Sequence, residues 1–320
     1  MDSVRRYAVL VPVFNDWACA SILIMEVRKA LDCVGRSTFY LIDDGSYEDE
    51  KELESILLDY NDVIIVRLKR NLGHQKAIAI GLCVIQRENC YDGVIVMDSD
   101  GEDRPEGICQ LIESSVAGDE KCIVFAKRAR RSEGALFKIM YSIYKKMSVS
   151  LTGYVVNIGN FSYIPSALLS RICVISELWI HYPAAIMKSK IKILKVPLDR
   201  GKRYIGNSKM NMTSLVTHGL GAMSVFSDVL GVRVIISISS LIGLIGVLTV
   251  LFSILVIGFP QIRGHEIYLS LTVAVMLLAQ LVVGSFAFTF SVLNNRKGYE
   301  TIPIRDYKIY IQKIIRATIA

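Results

Sequence analysis

The stretch Gly93-Val-Ile-Val-Met-Asp-Ser-Asp-Gly-Glu-Asp103 joins an apolar run directly to a loop rich in carboxylates. A short, uninterrupted apolar run is typical of a buried parallel strand, so we predict a strand over 93–97. Asp98, Asp100 and Glu102 follow at alternate positions, and on an extended loop they would project to one side. Such carboxylates suit a hard divalent cation. A solvated acidic turn is the alternative that this segment alone leaves open.

The residues before this stretch repeat the same pattern of apolar runs that end in polar residues. Strand-like runs alternate with helical spacing: strands over 7–13, 37–42, 63–68 and 122–126, and helices over 21–31, 48–58 and 75–86. This alternation predicts an α/β fold with a doubly wound, mostly parallel sheet. Ligands of such sheets bind beyond the carboxyl ends of the strands. We therefore expect Asn15-Asp16, Asp43-Asp44 and the 98–103 loop to share one edge.

Two further segments border this edge. Lys127-Arg128-Ala-Arg130-Arg131 follows the strand over 122–126, and guanidinium groups there would suit phosphate, although a solvated charge run is equally compatible. Arg70-Asn-Leu-Gly73 is a turn before a helix. In that helix, the small residues Ala77 and Gly81 predict tight packing against the sheet.

Two uncharged apolar runs, over 234–258 and 267–293, follow the predicted sheet. Each reaches about 37–40 Å as a helix, enough to cross a hydrocarbon core of about 30 Å. Because only a short loop separates them, we predict an antiparallel transmembrane hairpin. Cations flank its two outer ends, with a single Arg263 in the loop, and they are Arg200, Lys202, Arg203, Lys209, Arg233, Arg296, Lys297, Arg305 and Lys308. The positive-inside rule therefore predicts that the soluble part is cytoplasmic.

An amphipathic helix is expected just before the hairpin. Its apolar face consists of residues at three- and four-residue steps, which are Val216, Leu220, Met223, Phe226 and Leu230. The helix would lie in the membrane interface, or pack on the soluble domain. The predicted organisation is a catalytic domain over 1–210, this juxtamembrane helix over 211–231, the hairpin over 232–295, and a basic cytoplasmic tail over 296–320.

Composition limits the classes of function. The net charge of +7 suits anionic lipid or phosphorylated ligands, but much of it flanks the apolar runs. Seven cysteines, without a CxxC pair, fit reduced cytosolic thiols better than disulfides or a zinc site. We expect no nucleic-acid partner, and homo-oligomerisation is left open.

Four motifs in order resemble the family-2 glycosyltransferases of GT-A fold. They are Val11-Pro-Val-Phe-Asn15, Leu41-Ile-Asp-Asp-Gly-Ser46, Arg70-Asn-Leu-Gly73 with Ala77 and Gly81, and Val96-Met-Asp-Ser-Asp100 followed by Glu102, Asp103, Pro105 and Glu106. The apolar hairpin, the Arg128/Arg131 pair and Arg203 with Ser208-Lys209 resemble, more narrowly, the polyprenyl-phosphate glycosyltransferases. That group includes dolichol-phosphate mannosyltransferase and the undecaprenyl-phosphate glucosyltransferases.

The resemblance implies an inverting, metal-dependent hexosyltransferase that moves a sugar from a nucleotide diphosphate sugar, with a UDP-hexose favoured, to a polyprenyl phosphate. It implies an integral protein of the bacterial inner membrane that makes cell-envelope glycan. The residues implied around the nucleoside are Pro12, Phe14, Asn15, Asp43, Asp44 and Asp98. Those implied to hold Mg²⁺ or Mn²⁺ are Asp98, Asp100 and Glu102, with Asp103 also in the catalytic set. Those implied to receive the acceptor phosphate are Arg128, Arg131, Arg203, Ser208 and Lys209.

Two departures accompany this resemblance. Gly159-Asn160-Phe161-Ser162 stands where many relatives have Gly-Asp-Phe-Arg, which leaves the choice of sugar open. The stretch 176–193 lacks the Gln-x-x-Arg-Trp element of processive synthases, so we expect a single transfer. One alternative is transfer to a hydroxyl of a lipid-linked saccharide or diacylglycerol, with Asp103 as the base. A non-catalytic membrane scaffold is the alternative from another class.

Overall fold

The computed structural model describes residues 4–47, 55–56, 59–128, 135–154, 157–206, 212–258, 264–295 and 301–317. These residues group into two compact units. The first is drawn from Met1–Ala135, Val156–Val225 and Thr301–Ala320, and the second from Leu136–Val155 and Phe226–Glu300. The helix predicted over 48–58 lies mostly outside the described residues.

A mixed sheet is the centre of the first unit. Its strands are β1 Arg6–Val13, β2 Arg36–Asp43, β3 Val63–Leu68, β4 Gly93–Val96, β5 Ile123–Arg128, β6 Ser162–Pro165, β7 Ile193–Leu198 and β8 Ile311–Arg316. They lie in the order β7-β5-β6-β4-β1-β2-β3-β8. Strands β1 to β4, β5 and β7 run in one direction, and only β6 and β8 of this sheet run against them. The predicted mostly parallel sheet is therefore confirmed.

Helices cover both faces of the sheet, as the buried strands require. In the first unit they are α1 Trp17–Leu31, α2 His74–Glu88, α3 Gly107–Val116, α5 Ser166–Ile172, a 3₁₀ turn Ser176–Trp179, α6 Tyr182–Lys188, α7 Met212–Ser224 and α10 Pro303–Asp306. Side chains of β1 alternate between the two layers, with Val9 in the core under α1 and Leu10 in the core under α2. A Cβ on Gly81 of α2 would lie 2.6 Å from the Leu10 Cδ1 atom. The predicted tight helix–sheet packing is confirmed.

The described residues of the second unit form three helices: α4 Ala135–Thr152, α8 Ser227–Gly258 and α9 Gly264–Asn295. Helices α8 and α9 have 32 residues each and pack against one another. Among the described residues, one helical stretch is long and apolar enough to cross a membrane, Ser227–Leu251, with mean hydropathy 2.6. Val273–Phe288 of α9 is apolar but shorter. The first predicted span is thus supported more strongly than the second, and the loop between them lies outside the described residues.

The helix predicted over 211–231 is divided in the structure. Helix α7 ends at Ser224, and the residues from Ser227 onward belong to α8. The predicted apolar face is divided too, because Val216 and Leu220 are exposed while Met223 is buried. The domain boundaries given by the sequence stay predictions.

The segment treated as a basic tail contains a strand of the sheet. Strand β8 pairs antiparallel with β3, with Ile315 opposite Ile65. Ile311 and Ile315 pack against the two cores, while Lys313 and Arg316 of this edge strand are exposed. Charged residues are typical of sheet edges because they oppose pairing with other chains.

Candidate active site at the carboxyl edge of the sheet

The polar residues that follow β1, β2 and β4 meet at one edge, as the strand directions require. The Asn15 amide donates to the Ser46 Oγ atom at 2.9 Å, which links the ends of β1 and β2. The Ser99 hydroxyl lies 3.5 Å from an oxygen of Asp16, which links β1 to the loop after β4. The sequence prediction of a shared edge is confirmed by these contacts.

Asp43, at the end of β2, is fully buried and held by a cation from the next strand. The Arg67 Nε atom donates to its Oδ2 atom at 2.7 Å, and the Ser46 amide donates to its Oδ1 atom at 2.8 Å. Arg67 stands directly opposite Asp43 in the β2–β3 register. The carboxylate therefore fixes the Gly45–Ser46 turn that borders the edge.

Asp44 shapes the Arg70–Gly73 turn. Its two oxygens accept from the Leu72 amide at 2.7 Å and the Gly73 amide at 2.8 Å. Burial raises the pKa of the Asp44 carboxyl, and the two backbone hydrogen bonds oppose that shift. Since both oxygens are engaged with backbone amides, Asp44 acts on this edge by holding the turn before α2.

The other residues implied around the nucleoside lie at the end of β1. Pro12 is buried opposite Ile42, whereas Phe14 is exposed and packs edge-on against Tyr47, with ring centroids 6.0 Å apart. Asn15 has a positive φ of 47°, and its Oδ1 atom accepts from the Tyr47 amide. The turn thus presents an aromatic pair at the edge of the sheet.

The loop after β4 is braced by its own carboxylates. The Asp98 amide donates to Asp103 Oδ2 at 3.1 Å, and the Glu102 amide donates to Asp100 Oδ1 at 3.0 Å. Gly101, at the turn, has a φ of +84°, and a Cβ there would lie 2.5 Å from the Tyr204 ring. These contacts fix the backbone between the two predicted metal ligands Asp98 and Asp100.

Two arginines from the segment after β7 pair with this loop. Arg203 donates to Asp16 Oδ2 at 2.6 Å and to Asp100 Oδ2 at 3.3 Å, and Arg200 pairs with Glu102. The Arg203 side chain is only 14% exposed. Of the residues implied to receive acceptor phosphate, Arg203 is therefore brought to the carboxylate loop itself.

Asp100 titrates in an unusual environment. Burial first, and then the nearby charge of Asp98, raise the pKa of Asp100 to about 6, while Arg203 and Arg200 act in the opposite direction. Two carboxylates that share one site repel each other, and a cation between them relieves that repulsion. The Asp98 and Asp100 donor set therefore fits a divalent cation.

The third predicted ligand does not join this pair. Glu102 turns to Arg200, and within the described part of the chain no group of three His, Cys, Asp or Glu side chains converges as a metal site would require. The three-carboxylate assignment stays a prediction, supported for two of its members.

The remaining basic residues are only partly described. Arg128 is the last residue of β5, which places its backbone at the same edge as β1 and β4. Arg131, Ser208 and Lys209 lie outside the described residues. The predicted acceptor-phosphate cluster therefore stays a prediction beyond the position of Arg203.

A series of buried side-chain amides, hydrogen-bonded to Asp98, was not predicted from the sequence. Asn160 donates to Asp98 Oδ1 at 3.1 Å and accepts from Gln75 Nε2 at 3.0 Å. Gln75 contacts His74, and the His218 ring centroid lies 5.5 Å from that of His74 and 4.5 Å from that of His181. Asn160 was noticed only as a departure from related motifs, and Gln75 gave no local signal. Asp16 was expected at the edge, but not as a partner of Arg203.

The sequence of this chain matches a known protein family. The model of glycosyl transferase family 2 matches residues 8–172, which is just over half of the chain and includes β1 to β6. The chain belongs to glycosyl transferase family 2. The predicted family is therefore confirmed.

Curated relatives of this family-2 transferase extend beyond that region. A protein of Pectobacterium carotovorum subsp. carotovorum is 24% identical over 273 residues, which cover 83% of this chain and 80% of the relative. One of Klebsiella pneumoniae is 22% identical over 324 residues, with 98% and 94% covered. Both are named undecaprenyl-phosphate 4-deoxy-4-formamido-L-arabinose transferase.

A solved structure supports the fold. Glucosyl-3-phosphoglycerate synthase of Mycobacterium tuberculosis, crystallised with Mn²⁺, UDP-glucose and phosphoglyceric acid, aligns with a TM-score of 0.51 at 15% identity. The alignment covers 71% of this chain and 80% of that one. The predicted GT-A-like architecture of this family-2 transferase is confirmed.

Proposed function

We propose that this chain is a membrane-bound, inverting glycosyltransferase that moves a sugar from a nucleotide diphosphate sugar to a polyprenyl phosphate. The observation that carries the proposal is the edge where Asp98, Asp100 and Arg203 meet. Relatives along nearly the whole chain are named as undecaprenyl-phosphate sugar transferases, which supports the acceptor class.

The donor would bind across the ends of β1, β2 and β4. The exposed Phe14–Tyr47 pair offers an apolar surface to the base, and the turns held by Asp43 and Asp44 frame the nucleoside. Asp98 and Asp100 would hold a divalent cation, Mg²⁺ or Mn²⁺, against the diphosphate, with Glu102 as the further predicted ligand. When bound, that cation would neutralise charge on the departing nucleoside diphosphate.

The acceptor phosphate would approach from the Arg203 side of the loop. Arg203 is shared between two carboxylates, so its guanidinium is already desolvated and oriented toward the donor site. Arg128, Arg131, Ser208 and Lys209 are the further residues proposed for this phosphate. Several donors are needed because a lipid phosphate loses hydration on leaving the headgroup region.

The chemistry favours a phosphate nucleophile over a hydroxyl. A phosphate oxygen is already anionic and attacks the anomeric carbon without a base, whereas a hydroxyl needs one. The predicted base, Asp103, is 6% exposed and accepts from the Asp98 amide. That engagement makes Asp103 a brace of the loop, which argues against the hydroxyl-acceptor alternative.

Connectivity supports a hairpin in the membrane. The chain leaves the first unit before α8 and returns to it at β8, which pairs with β3. A sheet lies on one side of a bilayer, so a crossing by α8 requires a return crossing by α9. The basic flanks favour the cytoplasmic side of the bacterial inner membrane.

The test is transfer by the purified full chain in vesicles that contain undecaprenyl phosphate. Radiolabelled nucleotide sugars would be supplied one at a time with Mn²⁺ or Mg²⁺, including UDP-glucose and UDP-4-deoxy-4-formamido-L-arabinose. We expect one donor to give a labelled, mild-acid-labile lipid, and Asp100→Asn to give none. Label transferred to diacylglycerol, or no lipid product from any donor, would refute the proposal.

A further inference from the structure

A directed chain of buried hydrogen bonds runs from α6 to the candidate metal ligand Asp98. The Tyr182 amide donates to Gln75 Oε1 at 2.5 Å, and Gln75 Nε2 donates to Asn160 Oδ1 at 3.0 Å. Asn160 Nδ2 then donates to Asp98 Oδ1 at 3.1 Å. Gln75 and Asn160 are each 8% exposed.

The donor and acceptor roles in this chain follow from one group. A backbone N–H can only donate, so the Tyr182 amide requires the oxygen of Gln75 to face it. The Gln75 nitrogen must then face Asn160, whose oxygen accepts and whose nitrogen is left to donate. Only an acceptor can complete this series of hydrogen bonds, and the Oδ1 atom of Asp98 is that acceptor.

The Gln75 amide has no freedom to turn over. Its second N–H points at His74 Nε2, 2.8 Å away, so both of its hydrogens and its oxygen are engaged. Turning it over would set its nitrogen against the Tyr182 N–H and its oxygen against the oxygen of Asn160. A buried polar group left unpaired in this way is costly.

From this geometry we propose that Asn160 and Gln75 are positioning residues for Asp98. Their chain anchors Oδ1, and within the described residues Oδ2 of Asp98 has no hydrogen bond, so Oδ2 is the oxygen presented to the cation–diphosphate ligand. The inference rests on the proposed donor site. It gives Asn160 a role that an aspartate there does not supply, because the amide donates to Asp98 without adding a negative charge.

Two variants break the chain in different ways. Asn160→Ala removes the donor to Asp98. Gln75→Glu keeps the side-chain shape and the Tyr182 contact, but it places a second carboxylate oxygen against Asn160. The Asn160 amide must then turn over, which sets its oxygen against Asp98.

Ser162→Ala is the matched control. Ser162 is fully buried two residues from Asn160, donates to the Asn160 backbone oxygen at 2.9 Å and lies 2.7 Å from the Tyr182 hydroxyl, but it contacts neither side-chain amide nor Asp98. All variants would be made in the full-length protein in detergent, with folding checked by the thermal midpoint of tryptophan fluorescence.

The measurement is binding of Mn²⁺ in the presence of UDP, followed by the electron paramagnetic resonance signal of free Mn²⁺. We expect the dissociation constant to rise about tenfold or more in Asn160→Ala and Gln75→Glu, on the scale seen for groups that orient metal ligands. Ser162→Ala should bind like the wild type. A kinetic assay should show the same two variants with a raised Mn²⁺ activation constant that excess Mn²⁺ largely overcomes.

Three outcomes would overturn the inference. They are wild-type Mn²⁺ affinity in both Asn160→Ala and Gln75→Glu, an equally weakened Mn²⁺ affinity in Ser162→Ala, or no binding of Mn²⁺ with UDP by the wild type. Normal Mn²⁺–UDP binding without transfer to undecaprenyl phosphate would instead refute the proposed acceptor and leave the role of Asn160 and Gln75 intact.

Discussion

Replacing Arg67 tests how far the buried Asp43 depends on its partner. Arg67→Met keeps a long apolar stem and removes the guanidinium that donates to Asp43 at 2.7 Å. Asp43, which is fully buried, would retain the Ser46 amide as a hydrogen-bond donor. Breaking one side of a buried ion pair costs about 3–5 kcal/mol, because a desolvated charge is left uncompensated.

The double variant Arg67→Met/Asp43→Asn separates this effect from lost packing. Because the double variant also lacks the buried charge, its free energy of unfolding should be about 1–3 kcal/mol higher than that of Arg67→Met. This difference is within the range of coupling measured for contacting residues.

Tryptophan fluorescence is a suitable assay, since both tryptophans of the chain, Trp17 and Trp179, belong to the first unit and are buried. At about 2–4 °C per kcal/mol, Arg67→Met should lower the midpoint by about 6–20 °C. A fall of less than 2 °C, or a double variant no more stable than the single, would refute the reasoning.

Three further predictions follow from the same edge and its surroundings. Asp100→Asn should fold normally but lower transfer about 10²–10³-fold, and near wild-type turnover at saturating Mn²⁺ would contradict the metal assignment. Burial, followed by the charges of His218 and His74, lowers the pKa of His181 to about 3. In the unfolded chain the His181 side chain takes up a proton below about pH 6.5, whereas in the folded protein it stays neutral to about pH 3. The free energy of unfolding therefore has its full value above about pH 6.5 and falls as the pH is lowered toward 3, by about 2 kcal/mol at pH 5. His181→Asn should flatten the melting-point decline between pH 7.5 and 5, and an unchanged slope would exclude His181. Gly101→Ala, at φ +84° and close to the Tyr204 ring, should cost about 1–3 kcal/mol, and a midpoint within 1 °C of wild type would argue against this strain.

The strand ends of the site could be predicted because each is encoded locally. The apolar runs that became β1, β2 and β4 stop at polar residues, and strand direction then brings Asp43 and Asp98 to one edge. Direction follows from the alternation of strands and helices, which the sequence displays.

The partners of those carboxylates could not be predicted, because they come from distant segments. Arg203 reaches Asp16 across 187 residues, and Asn160 reaches Asp98 across 62. No periodicity connects such positions. The resemblance implied that Arg203 binds the acceptor phosphate. Its ion pairs with Asp16 and Asp100 depend on how the segment after β7 folds against the loop, which the sequence does not show.

Short strands were missed for a related reason. Strand β6 has four residues and β8 has six, with charged side chains on the latter. Runs this short and this polar show no clear hydrophobic periodicity. Their extended conformation depends on pairing with the neighbouring strand.

The late position of β8 in the chain also affects how the protein is made. Strand β3 is synthesised early, yet the residues that cover its outer edge follow only after α8 and α9. At about 5–20 residues per second, the ribosome leaves that edge uncovered for roughly 10–50 s, during which it can pair with another nascent chain. If α8 and α9 cross a membrane as proposed, their insertion would have to precede the pairing of β8 with β3. For the proposed membrane hairpin, β8 could reach β3 only in chains whose hairpin returns to the side it left, so completion of the sheet would depend on correct insertion during biosynthesis.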